Sequence, residues 1–125
     1  MGYASGLAMF VALYSAGEDY SSGALTNPMV PQEFRRTVAG RIEIGAHSAL
    51  GSSCVVLPGI RLGFGSSVGA LSLVNRNVRD YEIVHGNPIR RVGRRDSDTL
   101  DALDAALAEQ AAAAGIALSR DDVRD

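Results

Sequence analysis

A repeat of six residues predicts an all-β chain, built as a parallel β-solenoid with a loop thrown out of it and an α-helix at its C-terminal end. Three observations carry that prediction. Aliphatic residues stand six apart at Val38, Ile44, Leu50, Val56, Leu62, Val68 and Val74. Glycine directly follows four of them, at Gly45, Gly51, Gly63 and Gly69. The 125 residues hold 14 Gly and no Trp, with aromatics at 6%, so a core of bulky rings is excluded.

Each element follows from this phase. Two residues before the last six aliphatics sit Ile42, Ser48, Cys54, Ile60, Ser66 and Ser72. Side chains alternate faces along a strand, so each shares a face with the aliphatic that follows. One hexad therefore reads as a very short strand pointing two such residues inward. The following Gly supplies the positive φ of a corner. In the hexad of Val56, Pro58-Gly59 takes that role as a type II turn. A helical period of 3.6 would lose the phase, and hairpin sheets need longer strands. Stacked coils with a continuous core remain. Upstream, Leu7 and Leu13, with Val11 two residues before Leu13, read as an earlier coil. Between them and Val38, GEDYSSGALTNPMVPQEFRRT breaks the period, so residues 16–37 form an inserted loop long enough to expect a function. The regular hexads span residues 38–78, a short stack for a fold that needs three or so repeats to bury its core.

Charge divides the chain. Residues 1–95 carry ten Arg and six carboxylates, whereas residues 96–125 carry two Arg and eight carboxylates. The break follows the cluster Arg90, Arg91, Arg94, Arg95 and separates a repeat domain, 1–95, from an acidic helix and tail, 96–125. Ser97 or Asp98 is expected to cap that helix, and Asp101 and Asp104 favour its N-terminal dipole. Leu100, Leu103 and Leu107 form the stripe that packs, Gly115 ends it, and the final RDDVRD is expected to fray.

Composition also excludes function classes. A net charge of −2 argues against a uniformly basic nucleic-acid binder. The single Cys excludes a disulfide framework and a Cys-only zinc site, and fits a reducing compartment. No apolar run approaches the roughly 18 residues of a membrane span. The stretch Gly6 to Ala16 lacks the basic residue that precedes a secretion signal, so a cytoplasmic chain is expected.

The run IGAHSALGSSCVVLPGIRLGFGSSVGALSLVNRNV, followed by YEIVHGNPIRRVGRR, resembles the hexapeptide-repeat acyltransferases over roughly residues 7–95. Within that family, YSAGEDYSSGALTNPMVP resembles the sugar acetyltransferases of surface-polysaccharide and nucleotide-sugar pathways. The resemblance implies a left-handed parallel β-helix of triangular cross-section, against the usual crossover hand. It also implies a homotrimer and transfer of acetyl from acetyl-CoA, with no metal, to a hydroxyl or amine of a sugar or nucleotide-sugar. The alternative from another class is a non-catalytic or truncated solenoid, acting as a trimeric scaffold or CoA binder. A zinc carbonic anhydrase of similar fold needs three His ligands, and the chain has two His.

Site residues carry over position by position. Gly51 and the segment Gly69-Ala70-Leu71-Ser72 correspond to the wall that lines the pantetheine arm. Arg76 stands where the family has Lys, and Asn87, Pro88 and Arg90 match its Gly-Asn-Pro-Ala-Lys ending. Arg76, Arg90 and Arg91 would then meet phosphates by charge-assisted bonds, or else form a solvated face or ion pairs. Arg94 and Arg95 read as structural. The resemblance places the loop over the acceptor, with Tyr20 and Asn27 as candidate contacts.

The family's catalytic His falls on Glu18. Glu18 or Asp19 could accept a proton or hold an acceptor amine, or both could be solvated loop carboxylates. His47, at a corner and facing outward, has a side chain suited to base work or to corner hydrogen bonding. Cys54 reads as a packed core thiol. The outward apolar residues Val55, Leu57, Leu71 and Leu73 call for a subunit interface.

Overall fold

The computed structural model describes residues 1–118; the RDDVRD tail lies outside them. Twelve strands and one helix follow in order: β1 (Gly6–Leu7), β2 (Ala12–Leu13), β3 (Ala16–Glu18), β4 (Thr37–Ala39), β5 (Glu43–Ile44), β6 (Ala49–Leu50), β7 (Val55–Val56), β8 (Arg61–Leu62), β9 (Ser67–Val68), β10 (Leu73–Val74), β11 (Glu82–His85), β12 (Arg90–Arg94) and α1 (Ser97–Ala113). Most strands are two residues long because the chain turns a corner in every hexad.

Pairing is parallel and falls in three ladders. Ala49 pairs with Ser67, Val55 with Leu73 and Glu43 with Arg61, each eighteen residues on. The first ladder is β1-β6-β9-β11, the second β2-β7-β10, and the third β5-β8, extended by a bridge from Leu62 to Val78. One coil is one pass through all three. Leu7 registers with Leu50 and Leu13 with Val56, so the upstream pair forms a further coil. That adds the layer the hexad count lacked. β12 runs antiparallel to β11 and ends the first ladder.

The aliphatics of the six-residue phase fill the centre. Ile44, Leu50, Val56, Leu62, Val68 and Val74 are each at most 4% exposed. Their inward companions Ser48, Cys54, Ser66 and Ser72 are buried with them. Small side chains fit this thin layer, and two of the hydroxyls bond the carbonyl three residues before them. Ser48 Oγ donates to Gly45 O at 2.5 Å and Ser72 Oγ to Gly69 O at 2.7 Å.

Four expectations need correction. Val38 shares the phase but lies in β4, which pairs antiparallel with β3 at the base of the loop, and it is exposed. The glycines after the aliphatics do not supply the positive φ. That conformation comes two residues later, at His47, Ser53, Gly59, Gly65 and Leu71, again six apart. Gly45, Gly51, Gly63 and Gly69 are small for another reason: a Cβ at Gly45 would lie 2.8 Å from Gly63 C and Phe64 N of the next coil.

The helix differs too. Its N-cap is Asp96, whose carboxylate accepts from the Asp98 and Thr99 N–H groups. The Thr99 hydroxyl and these backbone bonds hold the Asp96 carboxyl below its usual range. Its buried positions are Leu100, Asp104 and Ala111, whereas Leu103 and Leu107 face outward. Leu100 packs with Ala46 and Phe64. Gly115, at φ 73°, follows the last turn as expected.

Candidate functional site

The inserted loop leaves the coil after β2 and returns before β5, and its two limbs pair as β3 and β4. Gly40 N closes the base on Ser15 O at 2.8 Å. The arm stands beside the second ladder and leaves a cleft of about 470 Å³. Glu18, Asp19 and Tyr20 line it from the arm, facing Val55, Leu57 and Pro58 of the coil. Three of the candidate residues are thus brought together. Tyr14 and Val38, which the sequence reading did not select, also line it; Tyr14 directly follows the second hexad of the early coil, the only signal that marks it. Asn27 is absent from this wall. Its side chain accepts from Met29 N at 2.8 Å and shapes a turn at the loop's far end.

Both cleft carboxylates have partners. Glu18 Oε1 accepts from Arg35 Nη1 at 3.1 Å. The Ser21 hydroxyl and N–H bond Asp19 Oδ1, at 2.7 and 2.9 Å. Those two bonds, with the Arg36 charge nearby, hold the Asp19 carboxyl below its ordinary range. Arg35 and Arg36 were not among the sequence candidates, although an adjacent Arg pair facing Glu-Asp across one loop is a readable signal.

His47 lies elsewhere. Its ring packs edge-on between Tyr3 and Phe64, with centroids 5.0 and 5.4 Å away. Its Nε2 meets Asp104 Oδ1 of α1 at 2.8 Å, and the Tyr3 hydroxyl donates to that same oxygen. Arg95 Nη1 donates to the His47 and Gly65 carbonyls, the structural part expected of it. Arg94 lies over the Tyr81 ring. His47 therefore faces the underside of the helix, a position set by a contact 57 residues away that no local pattern reveals.

The wall positions converge on one corner. Gly51 packs against Ala70, whose Cβ-sized approach to N is 2.6 Å. Above them His85 Nε2 meets Ala70 O at 3.1 Å, and Ser72 Oγ accepts from Gly86 N at 3.0 Å. The turn Gly86-Asn87-Pro88-Ile89, with a cis Asn87-Pro88 peptide, then lies along β10, since Ile89 N donates to Leu73 O. Ser72 is buried and its hydroxyl engaged, whereas Ala70, Asn87, Pro88, Arg90 and Arg91 are exposed. Arg76 instead bonds the Glu82 carboxylate at 3.0 Å. Burial pushes the Glu82 carboxyl up, but the Arg76 guanidinium and the Arg79 N–H outweigh it and hold it below its usual range. Among the described residues no cluster of three or more His, Cys, Asp or Glu could hold a metal.

No protein-family profile matches the chain. A dTDP-4-amino-4,6-dideoxy-D-glucose acyltransferase of Escherichia coli is 33% identical over 91 residues, covering 73% of this chain and 47% of that protein. A chloramphenicol acetyltransferase of Klebsiella aerogenes is 42% identical over 60 residues, which are 48% of this chain and 29% of that protein. The chain thus spans less than half the length of these curated relatives. Among solved structures, AntD, an N-acyltransferase from Bacillus cereus in complex with dTDP and 3-hydroxybutyryl-CoA, has a TM-score of 0.76 at 24% identity, over 86% of this chain and 57% of its own. A hexapeptide-repeat-containing acetyltransferase from Vibrio cholerae has a TM-score of 0.56 at 25% identity, over 69% and 46% of the two chains. By sequence the chain is similar to these acyltransferases, and by fold to a hexapeptide-repeat-containing acetyltransferase.

Proposed function

We propose that the chain is a left-handed, triangular β-helix acyltransferase unit that moves acetyl from acetyl-CoA to a hydroxyl or amine of a sugar or nucleotide-sugar. One observation carries this reading. The corner of Gly51 and Ala70 leads from the first ladder into β7 and β10 of the second, and the cleft under the arm is lined by Val55 of β7 with Leu57 and Pro58 just beyond it. A carrier arm laid along that ladder would bring its thioester toward Glu18, Asp19 and Tyr20. Backbone groups of the corner would hold the pantetheine, beside Ala70 and the Asn87-Pro88 turn, and Arg90 and Arg91 would meet phosphates. Gly51 and Ser72 act by letting the layers close, and Arg76 contributes to the same basic end through its pair with Glu82.

Transfer needs the acceptor N–H or O–H to attack the thioester carbonyl while the C–S bond breaks. The proton passes to a cleft carboxylate and then to the released thiolate. Asn27 shapes the loop over the acceptor. Three copies would cover the exposed Leu71 and the half-buried Leu73, while Val55 and Leu57 face the cleft. No helix among the described residues is long and apolar enough to cross a membrane, and the reading places the unit in the cytoplasm with its carrier. Residues 1–95 would act as the repeat domain, with the acidic helix docked on it.

The test follows free thiol while purified protein is given acetyl-CoA and a panel of sugars and nucleotide amino-sugars. Acceptor-dependent thiol release is expected. Carrier binding without it would return a non-catalytic solenoid. Arg90→Ala with Arg91→Ala is expected to weaken carrier binding about tenfold or more at low salt, and less at high salt. Unchanged affinity at low salt, measured by calorimetry, would make both residues a solvated face.

A further inference from the structure

Glu18 is the cleft carboxylate with unmet bonding capacity. Oε1 takes the Arg35 bond, while Oε2 is shielded from water and has no hydrogen-bond partner among the described residues. Arg35 Nε is likewise buried without a partner. Buried polar atoms in native proteins are almost always satisfied, so an orphaned carboxylate oxygen on a cleft-lining residue needs an explanation. The Arg35 side chain is held from a second side, since its Nη2 donates to Gln32 Oε1 at 2.7 Å. Gln32 begins a short 3-10 turn, Gln32–Phe34, in the returning limb of the loop. The guanidinium is therefore fixed at both ends, and it fixes which carboxylate oxygen of Glu18 remains available. The terminal Glu torsion is broad, and a rotation that keeps one oxygen on the Arg35 fork would turn the other toward a group bound in the cleft.

We infer that Arg35 is a positioning residue that holds Glu18 by one oxygen so that the other receives an N–H or O–H of the acceptor in the cleft. The inference rests on the acyltransferase reading and adds to it a residue outside the cleft wall. Arg35 also links acceptor recognition to the fold of the loop, because the same side chain ties β3 to the 3-10 turn.

The experiment compares wild type with Arg35→Met, Arg35→Lys, Glu18→Gln and the double variant Arg35→Met with Glu18→Gln, after circular dichroism has checked folding. The acceptor is whichever panel member the wild type turns over. Arg35→Met is expected to lower kcat on the order of tenfold or more, leaving the KM for acetyl-CoA unchanged. Arg35→Lys should recover part of the loss, since it keeps the charge without the fork. The double variant should be no worse than Glu18→Gln alone, because the two residues act as one unit.

Multiplicative losses in the double variant, or an Arg35→Met kcat equal to wild type, would overturn the positioning role and leave the acyltransferase reading standing. Should Arg35→Met fail to fold, Arg35→Lys decides: an unchanged kcat overturns the role. A wild type that acetylates no acceptor removes the acyltransferase reading, and this inference with it.

Discussion

Gly45→Ala is expected to lower the melting temperature by about 10 °C or more, from a loss of about 3 kcal/mol. The added methyl would meet Gly63 C and Phe64 N at 2.8 Å and Leu62 O at 2.9 Å. All three are backbone atoms of the next coil, so no side chain can swing away. Relief requires the ladders to part, and each ladder bond lost there exposes polar groups that are otherwise paired. Such a loss is a large share of the 5–15 kcal/mol that holds a typical domain. Gly6→Ala is the control, because nothing lies within 4 Å of its added atom. Calorimetry or circular dichroism melting checks both. Equal melting temperatures for the two variants would show that the coils do not depend on close approach at Gly45.

Asp104→Ala is expected to cost about 3 kcal/mol and to release the helix from the coils. Asp104 is 4% exposed, and its Oδ1 receives both the Tyr3 hydroxyl and His47 Nε2. These groups come from two successive coils, so one carboxylate ties the helix to both. Removing it leaves a small apolar residue facing a ring nitrogen and a hydroxyl in a site largely closed to water. Asp104→Asn, which keeps an acceptor, should lose less. Amide hydrogen exchange across residues 97–113 is the measurement: faster exchange in Asp104→Ala, with the ladder amides unchanged, is expected. Helix exchange unchanged from wild type would mean that the other contacts, Leu100 and the Tyr81–Asp101 bond, dock the helix without Asp104.

The coil was legible because its signal is local and periodic. The inward set Ile44 to Val74 could be named from a count of six, and Leu7 and Leu13 continue its register across the insertion, although as the end coil they stay exposed. The glycine assignment failed for a physical reason. Sequence shows where a side chain is missing but not whether the backbone turns there or a neighbouring chain approaches. At Gly45 it is the approach, and the turn falls on His47, a residue type with no strong preference for it. The helix stripe failed similarly, since Leu103 matches the helical period but faces away while a buried Asp104 takes the contact.

Of the candidate site, the cleft carboxylates and the Gly86-Asn87-Pro88 turn were found because they lie in short, recognisable stretches. His47 stood open between base work and corner hydrogen bonding, and its ring bonds Asp104 of the helix; Arg35 was not selected. The partner of His47, Asp104, is 57 residues away and only the folded chain brings it near, whereas Arg35 faces Glu18 across one loop, a signal the sequence held.

The arm's closure has a consequence for how such a chain can change. Ala16 pairs with Ala39, and Gly40 bonds back to Ser15, so the coil resumes in register whatever lies between. Insertions or deletions from 19 to 36 alter the cleft's cover without shifting a single inward residue of the stack. Arm and stack are separable parts here, joined at a hairpin stem that works as a standard fitting.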